Sequence, residues 1–155
     1  MNLKIPGFGP LVLQHLVLDY NGTLAVDGVL LSGIEEALQN LSSQIDIHVL
    51  TADTYGSVAE QLHNVPCKVV TIALDNQDRE KAVYVENIGA THCLAVGNGR
   101  NDHLMLEKAG LGIALLQEEG LATRSLVAAD IVCASIFDVF AYFKVPNRLV
   151  ATLRN

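Results

Sequence analysis

The residues best equipped for chemistry fall in four separate places along the 155-residue chain. An apolar run over 11–18, broken only by Gln14 and His15, ends in Asp19, and Gly22-Thr23 follow three residues later. Thr51 closes a second apolar run, Lys81 opens an amphipathic stretch, and Gly97-Asn98-Gly99-Arg100-Asn101-Asp102 follows a third run. A carboxylate at the end of a strand can ligate a hard cation or act as a covalent nucleophile. Gly-rich backbone and a threonine hydroxyl donate to phosphate oxygens, and a lysine offsets negative charge where it builds up. Taken singly, each has a plainer reading. Asp19 suits a turn or a helix cap, Thr51 a helix cap, and Lys81 a solvated surface position. Gly97 and Gly99 lack the third glycine of a dinucleotide motif, and no acidic residue ends the next strand. Their joint occurrence, in this order, is what points to a site for an anionic substrate and a divalent cation.

These four places meet only if the chain folds so that strand ends share one edge. Apolar runs bounded by turn residues predict strands over 11–18, 45–50, 68–74, 92–96, 111–115 and 131–133. Between them the periodicity predicts helices. The first starts at Ser32, with Glu35 completing a capping box and Ile34, Ala37, Leu38 and Leu41 facing inward. The second starts at Thr54 or its neighbours and runs to about His63. A third covers 80–88, with Ala82, Val83, Val85 and Ile88 as its buried stripe and Gly89 as its stop. Three more are expected over 102–109, 121–127 and 135–143. Asp27-Gly28 between short apolar arms predicts a β-hairpin flap over Asp19, with Tyr20 facing the flap and supplying shape. Val26, Val29, Leu30 and Leu31 on that flap suit either the core or a subunit contact. Residues 1–10 read as a Gly/Pro-punctuated lead-in, and the tail after Pro146 as surface.

Strands alternating with helices imply an α/β fold: a three-layer, Rossmann-like, doubly wound and mainly parallel sheet. One such domain is expected over 1–155. Ligands of these sheets sit just beyond the carboxyl ends of the strands, where the four polar groups would converge.

Half the residues are apolar and 17% are charged, as in a compact folded domain. A net charge of −7 argues against a nucleic-acid binder relying on phosphate neutralisation and against a polybasic membrane anchor. No apolar run reaches the ~20 residues of a membrane span, and no signal-peptide pattern opens the chain. Cys67, Cys93 and Cys133 are too scattered for a disulfide framework or a zinc site; Cys93 and Cys133 suit small buried hydrophobes, and a reducing cytoplasm is the expected compartment. The five histidines show no metal-ligand spacing, and His103 suits a helix surface.

The set Asp19-Tyr20-Asn21-Gly22-Thr23, Leu50-Thr51, Lys81, 97–102 and Ala128-Ala129-Asp130-Ile131-Val132 resembles the haloacid dehalogenase (HAD) superfamily of phosphohydrolases. Within it the chain is most similar to the phosphorylation domain of P-type ATPases and its small soluble relatives. The resemblance covers about 11–140. It implies a phosphatase in which Asp19 attacks the phosphoryl group, forms an aspartyl-phosphate and ligates Mg²⁺. Asn21 would offer its carbonyl to the metal. Gly22, Thr51, Ala52, Lys81 and Asn101 would bind the phosphoryl group. Asn98 would be a metal ligand, with Asp102 supporting it or ligating directly.

Two departures stand out. Asn21 replaces an aspartate that acts as general acid/base, a loss typically worth 10²–10⁴-fold in rate. Asn98 replaces a metal-binding aspartate, keeping shape and removing charge. Slow turnover follows, or else a catalytically silent phosphoryl-binding or regulatory protein on the same scaffold. Caps in this superfamily are inserted after the flap or between Thr51 and Lys81; neither interval is long enough here, so no cap domain is expected. The implied partners are a phosphorylated small molecule or a phosphoprotein, with no nucleic acid or membrane, and with a homo-oligomer as one way to close the open site.

Overall fold

A computed structural model describes residues 1–53 and 56–155. The chain opens with β1 (Asn2–Ile5) and β2 (Gly9–Val12), an antiparallel hairpin. The run 11–18 is therefore not a single strand, and 1–10 is not an irregular lead-in. Gly7 and Gly9 have φ of 82° and 115°, which turns the chain back on itself. The run divides after Val12, and β3 (His15–Asp19) begins afresh. The expected flap follows as β4 (Ala25–Val26) and β5 (Val29–Leu30). Asp27 and Gly28 both take positive φ, 51° and 77°, as a tight two-residue hairpin turn requires.

Next comes α1 (Ile34–Leu41), whose N-cap is Gly33 and not Ser32. Gly33 makes no side-chain cap, so the capping box read from Ser32 and Glu35 does not form. Then β6 (Asp46–Thr51) leads to α2 (Ser57–Gln61), with Asp53 Oδ2 accepting from the Val58 amide and the Ser57 hydroxyl. The helix start expected at Thr54 lies outside the described residues. The chain continues through β7 (Lys68–Thr71) and α3 (Gln77–Ile88). That helix begins earlier than its apolar stripe suggested; Val83 faces outward, and Lys81 joins Ala82 and Val85 in the buried set. After β8 (Cys93–Gly97) a single 3-10 turn, Arg100–Asp102, precedes α4 (His103–Lys108). The remaining elements are β9 (Leu111–Leu115), α5 (Thr123–Ala128), β10 (Ile131–Cys133), α6 (Ile136–Lys144) and α7 (Asn147–Leu153). Ser135 caps α6 by accepting from the Phe137 amide. The tail is not surface coil: α7 buries Leu149 and packs against β1 and α6.

Six strands form one parallel sheet in the order β10-β9-β8-β3-β6-β7. Side-chain alternation sorts each strand between two apolar layers. Leu16 and Leu18 of β3, with Leu94 and Val96 of β8, pack in one core with Ile34 and Leu38 of α1 and Val139 of α6. Val17 and Ala95 face the other way, onto Val85 of α3 and Met105 and Leu106 of α4. Helices thus cover both faces, giving the expected α/β, three-layer, doubly wound architecture. Among the described residues the flap is a hairpin alone, and one short helix and one strand separate Thr51 from Lys81.

Candidate active site

The strand order reverses beside β3, with β6 and β7 on one side and β8 to β10 on the other. A crevice opens at such a switch point, outside the strand carboxyl ends. Asp19 ends β3 level with Leu50, placing Thr51 one step further on β6; Leu18 is level with Val96, placing Gly97 beside Asp19 on β8. By alternation Asp19 shares the face of Val17, toward α3 and α4.

That is where its partners lie. Lys81 Nζ donates to Asp19 Oδ1 at 2.5 Å and to Asp102 Oδ1 at 2.6 Å. Lys81 is 1% exposed, Asp102 0% and Asp19 8%. Asp102 Oδ2 accepts from the Gly99 amide at 2.8 Å, so both of its oxygens are engaged. Gly97 has no side chain for a reason: a Cβ there would overlap the Asp102 carboxylate. Three remote pieces of sequence thus converge on one buried ammonium held between two carboxylates. Desolvating such a group costs several kcal/mol per ion, so the arrangement is a poor way to gain stability. Perturbed, buried charge clusters in a cleft mark functional sites instead.

The electrostatics follow from burial and charge count. Burial pushes the Asp19 carboxyl up to about 7, Asp102 adds repulsion in the same sense, and Lys81 with a backbone hydrogen bond from Tyr20 only partly offset this. For Lys81 burial alone would favour the neutral amine, but the two carboxylates outweigh it and hold the ammonium charged above its ordinary range.

The other expected residues are placed as follows. Thr51 is buried; its Oγ1 accepts from the Asp53 amide at 3.1 Å, which leaves its hydroxyl proton for another acceptor. Ala52 is half-buried immediately after it, and Asn21 is exposed. The Gly22 amide is already committed, donating to the Ala25 carbonyl at 2.7 Å. Gly22 has φ 75°, and a Cβ there would overlap the Asn98 amide, so the flap root and Asn98 are in contact. Asn98 is 7% exposed. Its Nδ2 donates to the Gly120 carbonyl at 3.0 Å, while its Oδ1 is buried with no partner. Asn101 donates to Gln77 Oε1 at 2.7 Å, and both line an open cavity of about 420 Å³ with Leu74, Asn76, Asp78 and Arg100. Gln77 lies one turn before Lys81 on α3 and Asn101 directly precedes Asp102, so two lining residues neighbour the buried cluster in the chain, while the cluster's own side chains do not line the cavity. Tyr20 packs in the opposite core with Leu24 and Ala25 of the flap. His103 bonds locally to the Arg100 carbonyl.

Sequence reasoning missed Gln77, Gln117 and Gly120. Each works through a backbone or amide contact between segments far apart in the chain, for which the sequence carries no local signal.

The orphaned Asn98 amide oxygen, in contact with the flap root at Gly22, and the Asp19 carboxylate are both oxygen donors. That chemistry fits a hard divalent cation. Among the described residues no cluster of three His, Cys, Asp or Glu side chains forms a metal centre by itself. Nor is any helix among them long and apolar enough to cross a membrane.

No family model matches the chain. It is 40% identical over 62 residues to the uncharacterized protein MJ0073 of Methanocaldococcus jannaschii, a match spanning 40% of this chain and 67% of that protein. It is 44% identical over 39 residues to MJ0072 of the same organism, spanning 25% of this chain and 89% of that protein. Among solved structures it superposes on the 3-deoxy-D-manno-octulosonate 8-phosphate phosphatase of Moraxella catarrhalis, in complex with magnesium, phosphate and its sugar, with a TM-score of 0.68. That likeness is 15% identical and covers 92% of this chain and 88% of the other. The cobalt-bound phosphatase of the same name from Haemophilus influenzae gives 0.68 at 10% identity, covering 91% and 89%. A phospho-aspartyl intermediate analogue of phosphoserine phosphatase gives 0.64 at 16% identity, covering 84% and 99%. The chain therefore belongs to one family with MJ0073 and MJ0072, and its fold is that of the HAD-like hydrolases.

Proposed function

We propose that the protein is a divalent-cation-dependent phosphohydrolase, with Mg²⁺ the expected ion, acting through an aspartyl-phosphate on Asp19. The observation that carries this reading is the buried Asp19–Lys81–Asp102 cluster at the switch point, beside an Asn98 Oδ1 that has no partner. Solved phosphatases of the same fold, one with magnesium and phosphate and another as a phospho-aspartyl analogue, support the chemistry.

Asp19 and Asn98, with the Asn21 backbone carbonyl, would hold the cation. Asp102, whose oxygens are engaged by Lys81 and Gly99, would act through Lys81 and hold it in place. The bound ion supplies charge neutralisation for the phosphoryl oxygens. A carboxylate oxygen of Asp19 forms a bond to phosphorus as the bond to the leaving-group oxygen breaks. Lys81 offsets the charge on the transferring group, and the Thr51 hydroxyl donates to one of its oxygens. Water then releases phosphate and restores the carboxylate. Asn21 cannot shuttle a proton in either step, so turnover is slow.

The substrate is a phosphorylated compound, and the cavity beside Gln77 and Asn101 is open enough for a bulky leaving group. Purified protein with Mg²⁺ is expected to release phosphate from p-nitrophenyl phosphate, and Asp19→Asn is expected to abolish release. Equal turnover by the two proteins contradicts the assignment. Thermal stabilisation by phosphate without turnover points instead to a silent phosphoryl-binding protein.

A further inference from the structure

The turn that follows Asp19 spends its own donors inward. The amides of Thr23, Leu24 and Ala25 all donate to the Tyr20 carbonyl, and the Gly22 amide donates to Ala25. The carbonyls of Gly22 and Thr23, at the root of the flap, take no donor from within the turn. One side chain meets both. Gln117 Nε2 donates to the Gly22 carbonyl at 3.1 Å and to the Thr23 carbonyl at 3.0 Å. Its Oε1 accepts from the Ile136 amide at 2.7 Å, in the first turn of α6. The amide orientation is fixed by chemistry, because turning it over would set an oxygen against two carbonyls and a donor against an N–H.

The rest of the same loop, 116–122, reinforces the arrangement. Glu119 Oε1 accepts from the Asp27 amide at the flap tip at 2.9 Å. The Gly120 carbonyl accepts from Asn98 Nδ2, and the Ala122 amide donates to the Asn98 carbonyl at 2.9 Å. Gln61 of α2 grips the tip from the other side, accepting from Leu30 at 3.0 Å and donating to Gly28 at 3.1 Å. The tip therefore has two supports, one on each side. Gln117 is the side chain that ties the root to the sheet's far half. The root is where position matters, since it follows the nucleophile directly and touches Asn98.

We infer that Gln117 is a positioning residue: it latches the turn after Asp19 to the loop beyond β9 and so holds the backbone of 21–23 and Asn98 in one fixed relation. The inference rests on the proposed phosphatase reading for its kinetic consequence, but not for its structural one. Oxygens arranged for an oxygen-seeking ion need placement within a fraction of an ångström, and a misplacement near 1 Å can cost about 100-fold in rate.

The test compares Gln117→Glu and Gln117→Met with Glu119→Gln. Glutamate keeps the acceptor for Ile136 and sets a carboxylate against the two carbonyls. Methionine keeps the length and removes all three bonds. Glu119→Gln retains the acceptor at Asp27 and serves as the control. Two readouts are taken on the full chain: amide hydrogen exchange over 20–31, and kcat and KM for p-nitrophenyl phosphate with Mg²⁺. Both Gln117 variants are expected to raise exchange over 20–31 roughly tenfold or more while the strands of the sheet stay protected. They are expected to lower kcat roughly 10- to 100-fold with KM within about threefold, because Thr51 and Lys81 are untouched. Glu119→Gln should match the parent in both readouts. Unchanged exchange over 20–31 overturns the latch. Raised exchange with unchanged kcat overturns its role in positioning. Proportional loss of kcat and protection throughout the sheet would mark a merely structural residue and likewise overturns it. If the parent itself shows no turnover, the phosphatase reading fails, and the exchange measurement alone decides the latch.

Discussion

At the scale of single residues, the site is a contest between burial and charge at Asp19, Lys81 and Asp102. Two carboxylates share one ammonium in a place almost closed to water, leaving the cluster one negative charge in excess. Burial raises the Asp19 carboxyl, and the Asp102 charge adds to it in the same sense. Removing the cation should be severe: Lys81→Met leaves two buried carboxylates facing each other. A loss of about 3–5 kcal/mol in chemical denaturation is expected, together with loss of activity. A Lys81→Met protein as stable as its parent would show that the charges are better solvated than the structure has them. The isosteric replacement at 98 also reads differently once its partners are seen. In sequence Asn98 is an aspartate with its charge removed. In the structure the amide does what a carboxylate does not: it donates to the Gly120 carbonyl, while its Oδ1 is left without a partner. The sequence alone carried Asp19, Thr51, Lys81 and the 97–102 turn because each closes or opens a regular element. Gln117 was not legible, because a glutamine in an irregular loop carries no period or spacing, and its role exists only once β9 and the flap are adjacent.

At the scale of elements, hydrophobic periodicity located the buried strands well and their boundaries less well. β3, β6, β8 and β9 sit where apolar runs sit, since a strand covered on both faces is apolar throughout. The run 11–18 misleads for the same reason: Leu11 and Leu13 are buried, as Leu16 is, though β2 ends at Val12 and β3 starts only at His15. Lys81 shows the opposite failure. A helix whose buried face includes a lysine has a blurred amphipathic pattern, which is why apolar spacing favours Val83 although Lys81 is the buried residue. The terminal helix α7 departs from the expected surface tail because Pro146 starts it, and proline is at home at the start of a helix. Leu149 anchors α7 with no exposure. Leu149→Ala is expected to cost about 2–5 kcal/mol, measured by urea unfolding, with the catalytic parameters of the folded protein unchanged. A cost below about 0.5 kcal/mol, the range of surface substitutions, would place α7 outside the core.

At the scale of the whole molecule, the parallel sheet gathers the candidate site beyond the strands' carboxyl ends, while a different polar cluster forms further back on β3 and β6. His48 of β6 is hydrogen-bonded to His15, at the start of β3, at 3.2 Å and to the Tyr84 hydroxyl of α3 at 2.8 Å. Burial lowers its pKa, and His15 and Lys68 add to this while Asp46 opposes it. A histidine depressed in the folded state contributes stability that is present above its unfolded value near 6.5. That stability is lost as pH falls toward the folded value, because the unfolded chain takes up the proton first. The melting temperature should therefore drop between pH 7 and pH 5, and His48→Gln should flatten that slope. An identical slope in the variant would assign it to other groups.

The central claim is that Asp19 becomes phosphorylated. The direct measurement is mass spectrometry of peptides from acid-quenched protein after incubation with Mg²⁺ and p-nitrophenyl phosphate, with a parallel sample treated with hydroxylamine. A hydroxylamine-sensitive phosphoryl group on Asp19, longer-lived in the parent than in Asn21→Asp, is the expected result. Phosphate release with no modification at Asp19, or a phosphoryl group on another residue, would contradict it.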